Sequence, residues 1–391
     1  MRHIWHAFRG NSRVATLTGL LWVVSLVPLA PYDQLFRIQL GMTESEVGYL
    51  RSLDFMLRCL MIWMSGYVSD RFGPTRVLFY GDILSWVIPA AIMATASTPA
   101  HAVIATMLFA TNGICFAAFQ QVLIGGAPST GRRYVLAAHT AFNLIPGILM
   151  PSVGGWLVAR TGIVPAMHVL YGSLCLFTAL GILIRLKTFR MKPRTMVTAN
   201  IPAHRILRRP GILPLFLAGV SLGSAEAIMG TYASVYIVGR MGLATAWLSA
   251  FQSMSAVVVL IMNLLVFPRL SRRVERKLII ARGAIAGTAG LALLTGSTSL
   301  LPIWIACGAI GVAIKQTSHH ARWVNTLPPE DRSRLLGTAA AAGQIVAVAM
   351  MIPAAMLYGH GLPRTVLGMA VIFELISALL TARSFRAAPI K

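Results

Sequence analysis

Read along its length, the chain is a succession of apolar stretches about 20 residues long, cut apart by short clusters of Gly, Pro, Ser, Thr and Arg. About twenty apolar residues wound at 1.5 Å each cross the roughly 30 Å hydrocarbon core of a bilayer. Each stretch therefore predicts a membrane-spanning helix. Twelve can be marked out: Val14 to Phe36, Glu46 to Ser69, Val77 to Ala96, Ala102 to Gly125, Val135 to Val158, Val164 to Ile184, Ile212 to Val238, Trp247 to Phe267, Leu278 to Gly296, Pro302 to Trp323, Leu335 to Leu357 and Thr365 to Thr381. The Gly- and Pro-bearing clusters between them are turn signals. One connection is longer, Arg185 to Gly211, and rich in Arg, Lys and Pro. It separates six spans from six. The predicted fold is an all-α membrane protein with 12 transmembrane helices in two six-helix bundles, residues 1–185 and 212–391, joined by a linker at 186–211.

Composition agrees with this pattern. Of 391 residues, 57% are hydrophobic and 12% charged, against roughly 45–50% and about 25% in soluble domains. The remaining charge is lopsided, with 34 Lys and Arg against 11 Asp and Glu. In a soluble chain that excess would point to nucleic acid. Here it sorts by side: when successive loops alternate across the bilayer, 27 of the 34 basic residues fall on the side that carries both termini and the linker. The positive-inside rule makes that side cytoplasmic. The surplus is a topology signal, and no nucleic-acid partner is expected. The first span has the basic start and apolar run of a signal peptide, but Pro31 after Ala30 disfavours cleavage. The four cysteines, Cys59, Cys115, Cys175 and Cys307, fall in four different spans and fit neither a metal nor a disulfide spacing. They are expected to pack.

One turn carries a sharper pattern. Between the second and third spans the sequence runs Gly66-Tyr-Val-Ser-Asp70-Arg71-Phe-Gly73-Pro-Thr-Arg76. A glycine lets helices approach closely, a second permits a tight turn, and Asp70 with its arginines forms a charge cluster at the membrane surface. This resembles the signature turn of the major facilitator superfamily, and the six-plus-six layout with a basic central loop is similar to that family's. The resemblance implies that Gly66, Asp70, Arg71, Gly73 and Arg76 form a cytoplasmic gate motif, although Pro74 and Thr75 stand where basic residues are usual. Pro146-Gly147-Ile-Leu-Met-Pro151-Ser-Val-Gly154-Gly155 in the fifth span partly resembles a Gly/Pro-rich motif of family exporters. The fourth span has Phe109 where family antiporters carry an arginine. Thr43 is expected to cap the second span's helix.

Charges inside a bilayer cost roughly 2.5–3.5 kcal/mol each on insertion scales and face a bundle interior or a wet cavity. Asp33, Asp54, Asp82, Glu226 and Glu374 lie within or at the edge of spans, as do Arg58, Lys315 and His319. Glu226 and Lys315 lie near the midplane of spans seven and ten, which line the central cavity in the family. They are expected to meet substrate or each other. Asp54 and Arg58, four residues apart, suit either an intrahelical ion pair or a proton-driven switch. Asp82 is expected to join the Asp70 cluster, and Glu374 needs an inward partner. Tyr232 offers a stacking surface, and Gln121 and Gln316 offer hydrogen bonds to a polar solute; packing is the alternative for all three. His319 and His320 point about 100° apart on a helix and do not make a metal pair.

The resemblance implies a secondary active transporter that moves a small solute by alternating access. No phosphate-binding loop is present, so no cofactor is expected and a proton or other ion gradient supplies the energy. Export is the expected direction, with uptake of a nutrient or small anion as the alternative and a membrane-embedded lipid-modifying enzyme as the reading of another class. The expected setting is a monomer, multi-pass in a prokaryotic plasma membrane.

Overall fold

The computed structural model describes residues 10–125, 132–189, 211–266, 269, 272–315 and 332–387. Every described secondary element is helical. In chain order the helices are α1 (Asn11–Leu26), α2 (Asp33–Gln39), α3 (Glu44–Phe72), α4 (Pro74–Asp82), α5 (Ile88–Ala94), α6 (Pro99–Ala110), α7 (Cys115–Gly125), α8 (Arg132–Thr161) and α9 (Ile163–Thr188). They continue with α10 (Ile212–Val235), α11 (Ala246–Ile261), α12 (Arg272–Leu294), α13 (Leu301–Ile314), α14 (Arg332–Gly359) and α15 (Pro363–Ala387).

Each predicted span is mostly helical where it is described, but several are not simple rods. The first is broken between α1 and α2, where Pro28 and Pro31 deny the helix its backbone donors. The third changes winding through a π turn at Ile83–Val87, and the fourth through a 3-10 turn at Thr111–Ile114. Gly113 in that turn sits against the Arg58 carbonyl, where a Cβ would come to 2.7 Å, so only glycine lets α3 pass this closely. Among the described residues, eight helices are long and apolar enough to cross a membrane, and Ala246–Ile261 and Thr298–Ile314 are shorter apolar helices. The helix Glu44–Phe72 is not among the eight; Asp54 and Arg58 interrupt its apolar run.

The chain forms two compact units. The first comprises Met1–Met42, Leu53–Val197 and Thr245–Ser253; the second comprises Thr43–Ser52, Thr198–Ala244 and Met254–Lys391. In the first, α1 packs against α7, α8 and α9, and α4 against α7. Its core gathers small and branched side chains, among them Ala15, Leu78, Cys115 and Val122. Gly154 of α8 lies on the Pro28 carbonyl, a closeness that a Cβ would block. In the second, α10 packs against α14 and α15, and α12 against α13 and α15. Gly283, Gly287 and Gly290 put one smooth face of α12 on Ala378, Leu375 and Val371 of α15, the small-residue packing expected where lipid gives helices no hydrophobic reason to associate. Thr43 and Glu46 cap α3 reciprocally: the Thr43 amide donates to Glu46 Oε2 at 2.7 Å and the Glu46 amide donates to Thr43 Oγ1 at 3.2 Å.

Candidate functional site

Each of the five carboxylates that the sequence puts within or beside a span has a cation against it: Asp33 with Arg37, Asp54 with Arg58, Asp82 with Arg185, Glu226 with Lys315 and Glu374 with Arg282. That is the arrangement a low-dielectric setting demands, since pairing removes the cost of an isolated charge. The pairs differ in how firmly they are held.

Glu226 lies 14 residues into α10, roughly 21 Å along its axis. Lys315 directly follows α13, 14 residues after Leu301. The Lys315 ammonium contacts Glu226 Oε1, and the two side chains are 28% and 44% exposed. This pair is open enough to exchange partners. Arg282 and Glu374 are its opposite. Their contact is 2.7 Å, Arg282 is 2% exposed and Glu374 20%. The guanidinium also donates to Ser377 Oγ at 2.9 Å, and Ser377 donates on to the Ala218 carbonyl at 2.8 Å. Arg282 thus ties α12, α15 and α10 together, and it is the inward partner that Glu374 required.

In the first unit, Arg58 donates to a fully buried Asp54 at 2.8 Å, the i,i+4 pair expected from the spacing. Asp33 is held from two sides: Arg37 Nε donates at 3.1 Å, and the Tyr171 hydroxyl also donates to it. Arg37 also donates to Thr106 Oγ1. Arg37 lies one residue beyond the first predicted span, and its i,i+4 spacing from Asp33 is the signal for this pair; no pattern in the sequence points to Tyr171. Asp82 corrects an expectation. It does not join the Asp70 cluster but turns inward and pairs with Arg185 near the end of α9. Depth along a helix gave its height but not the face on which it points.

Other expected site residues are placed as follows. Tyr232 is fully buried with its ring stacked on Tyr358 at 4.4 Å. Its face is occupied, which corrects its reading as a solute-stacking surface. Gln121 accepts a hydrogen bond from Ser69 Oγ at 3.3 Å, binding α7 to α3. Gln316, His319 and His320 lie outside the described residues. Phe109 belongs to an aromatic cluster with Trp86 and Tyr171. At the gate motif, Gly73 has φ +82, a turn that favours glycine, and leads into Pro74 at the first position of α4. Asp70, Arg71 and Arg76 are exposed. Arg71 donates to the Tyr67 hydroxyl at 2.8 Å, and among the described residues no ion pair joins Asp70 to Arg71 or Arg76. No described residue lies within 4 Å of a Cβ placed on Gly66, so the close approach expected there is not made by them.

Comparison with known proteins agrees with this architecture. A family model described as Major Facilitator Superfamily matches residues 14–317. No curated protein sequence matches the chain. Among solved structures, the chain is similar to a D-xylose-proton symporter, with 16% identity, a TM-score of 0.70 and 97% of each chain covered. It is also similar to an auto-inhibited POT family peptide transporter, with 11% identity, a TM-score of 0.73 and coverage of 97% of this chain and 98% of that one. A bacterial homologue of the iron transporter ferroportin, in its inward-facing state, matches with 13% identity, a TM-score of 0.69 and coverage of 96% and 99%. At these identities the likeness is one of fold.

Proposed function

The chain belongs to the major facilitator superfamily, a multi-pass membrane transporter rather than an enzyme, and from that premise we propose that it moves a small solute by alternating access with proton coupling at Glu226 and Lys315. The reading includes twelve spans, both termini in the cytoplasm, a monomer, no cofactor, and a prokaryotic plasma membrane as its setting. The observation that carries it is the openness of the Glu226–Lys315 contact at membrane depth. A proton arriving at the Glu226 carboxylate neutralises it and leaves the Lys315 ammonium without its counter-charge. Lys315 then takes an anionic or polar group of the solute, or waits for the proton to leave and the pair to re-form. Either ligand changes the relative stability of two conformations only through such a difference in affinity. Asp54 and Arg58 are proposed as a second proton-sensitive pair, and Gly66, Asp70, Arg71, Gly73 and Arg76 as the cytoplasmic gate.

Export is the proposed direction, supported by the Gly/Pro-rich stretch from Pro146 to Gly155 and the close seat of Gly154 on Pro28. Uptake is the second reading, favoured by Phe109, which fills the fourth span with an aromatic contact instead of a charge. A thermal-shift screen of purified protein against a solute library finds the solute. Reconstituted vesicles then test coupling: an imposed pH gradient drives uphill movement of that solute under this reading. Gradient-independent conversion of a substrate into product would overturn it in favour of a membrane enzyme.

A further inference from the structure

The Glu226–Lys315 contact has the closed pair Arg282–Glu374 beside it. Gly311 of α13 packs on Ala286 of α12, and Gly283 of α12 packs on Ala378 and the Glu374 carbonyl of α15. α12 and α13 follow one another, pack together and are joined through the short turn at Thr298–Leu300, so they run antiparallel. Lys315 comes four residues after Gly311, about 6 Å along the axis. Arg282 comes four residues before Ala286. Lys315 and Arg282 therefore stand at one level, and Glu374 meets Arg282 there at 2.7 Å. The Glu374 carboxylate acts on the Lys315 ammonium as well. The four side chains make one cluster of two cations and two anions, with no net charge.

Among the described residues, the helices around the cluster bring no further charge to it. Glu226 is the one charged residue of α10, and α13 has none before Lys315. α14 carries no charge from Ala342 to Gly359. On α15 the charge nearest Glu374 is Arg383, nine residues on, and on α12 the charge nearest Arg282 is Lys277, five residues back. The Tyr232 and Tyr358 rings are buried against each other. The cluster thus has a closed half, Arg282 with Glu374, and an open half, Lys315 with the exposed Glu226. A proton added at the open half turns the neutral cluster into a single positive charge. An unbalanced charge at membrane depth is costly, and one monovalent anion restores the balance.

We infer that the solute taken at this cluster is a monocarboxylate, bound together with one proton. The inference rests on the coupling reading of Glu226 and Lys315 and names the solute class for it. The proton sits on Glu226, whose carboxyl then donates to the guest. The Lys315 ammonium donates to the same guest, which takes the place the Glu226 carboxylate held against it. Hydrogen bonds between an ammonium and a carboxylate are among the stronger ones. A neutral amide would leave the positive charge unbalanced, and a dianion would exceed it. Proton and anion held together cross together, so direction follows the steeper gradient. A carboxylate accumulated inside leaves by this route, and an inward proton gradient draws one in.

The test is calorimetric titration of the purified full-length protein with acetate in chloride-free buffer, with acetamide and oxalate as its neutral and doubly charged counterparts. Acetate fits wherever the head of a larger monocarboxylate fits, so size does not excuse a failure to bind. Acetate is expected to saturate one site, with acetamide and oxalate at least about tenfold weaker. Its affinity should rise as pH falls, by up to about tenfold per pH unit, because binding is linked to uptake of one proton. Glu226→Gln imitates the protonated carboxyl, so acetate should bind it with no pH dependence. Neutral acetic acid as the true guest would keep that dependence in the Gln variant and overturn the inference. Lys315→Met should weaken acetate at least about tenfold. The two variants lie on separate elements, so either remains informative if the other does not fold. No saturable acetate binding to the natural protein would overturn the inference, as would acetamide or oxalate binding as tightly, or a folded Lys315→Met variant with unchanged affinity. Failure of acetate to bind, beside gradient-driven flux of another solute that Glu226→Gln abolishes, would remove the monocarboxylate and leave the coupling reading standing. Acetate binding beside flux that survives in Glu226→Gln would keep the monocarboxylate and remove the coupling reading.

Discussion

Two ion pairs in the second unit use the same chemistry in opposite surroundings. Arg282 and Glu374 are closed in, and a serine relays the arginine's grip to a third helix. Lys315 and Glu226 meet where both side chains reach open space. A buried guanidinium with several partners cannot leave without stranding a charge, whereas a partly exposed ammonium can trade a carboxylate for water or a solute. The first pair is read as structural and the second as the one that works. The same contrast exists in the first unit, where Asp33, Arg37 and Tyr171 form a closed group.

Substitutions separate the two kinds. The largest expected effect is at the closed pair. Arg282→Met strands Glu374 and should cost about 3–5 kcal/mol of stability, seen as loss of folded protein in detergent unfolding; a cost near zero would erase the distinction. Asp33→Asn is expected to follow at about 2 kcal/mol, because it leaves Arg37 and Tyr171 facing a neutral amide. The same unfolding assay reads it. Thr43→Ala gives the scale of an ordinary local contact, the loss of one helix cap, at about 1 kcal/mol. Lys315→Met should be the mildest, under about 1 kcal/mol, since the pair is more than a quarter exposed on both sides and solvent discounts it. Its transport should nevertheless be lost. A Lys315 variant as unstable as the Arg282 variant would make the open pair structural too.

Much of this architecture was legible in the sequence, and the misreadings share a cause. Apolar run length locates helices because hydrocarbon thickness sets it, and Pro28 and Pro31 explain why the first predicted span is two helices rather than one. The i,i+4 spacing of Asp54 and Arg58 located that pair because one helix supplies both partners. Arg185 opens the basic linker and Arg282 lies near the start of the ninth predicted span, yet both turn inward to carboxylates on other helices. Position along a span gives depth only. Which way a side chain points is set by tertiary packing, which one helix alone does not encode. Asp82 was misplaced for the same reason, and Tyr232 was credited with an open face that Tyr358 covers. Glu226 and Lys315 were selected by midplane depth and by the family's cavity-lining spans, and they do meet.

The most direct test compares proton-gradient-driven solute flux in vesicles carrying the natural protein or Glu226→Gln, matched for inserted amount. Glutamine keeps the shape and removes the titratable charge. The account predicts that uphill flux driven by the gradient disappears while unfolding stability stays within about 1 kcal/mol of the natural protein. Gradient-driven flux that survives undiminished in the Gln variant would contradict it and remove the open pair from the mechanism.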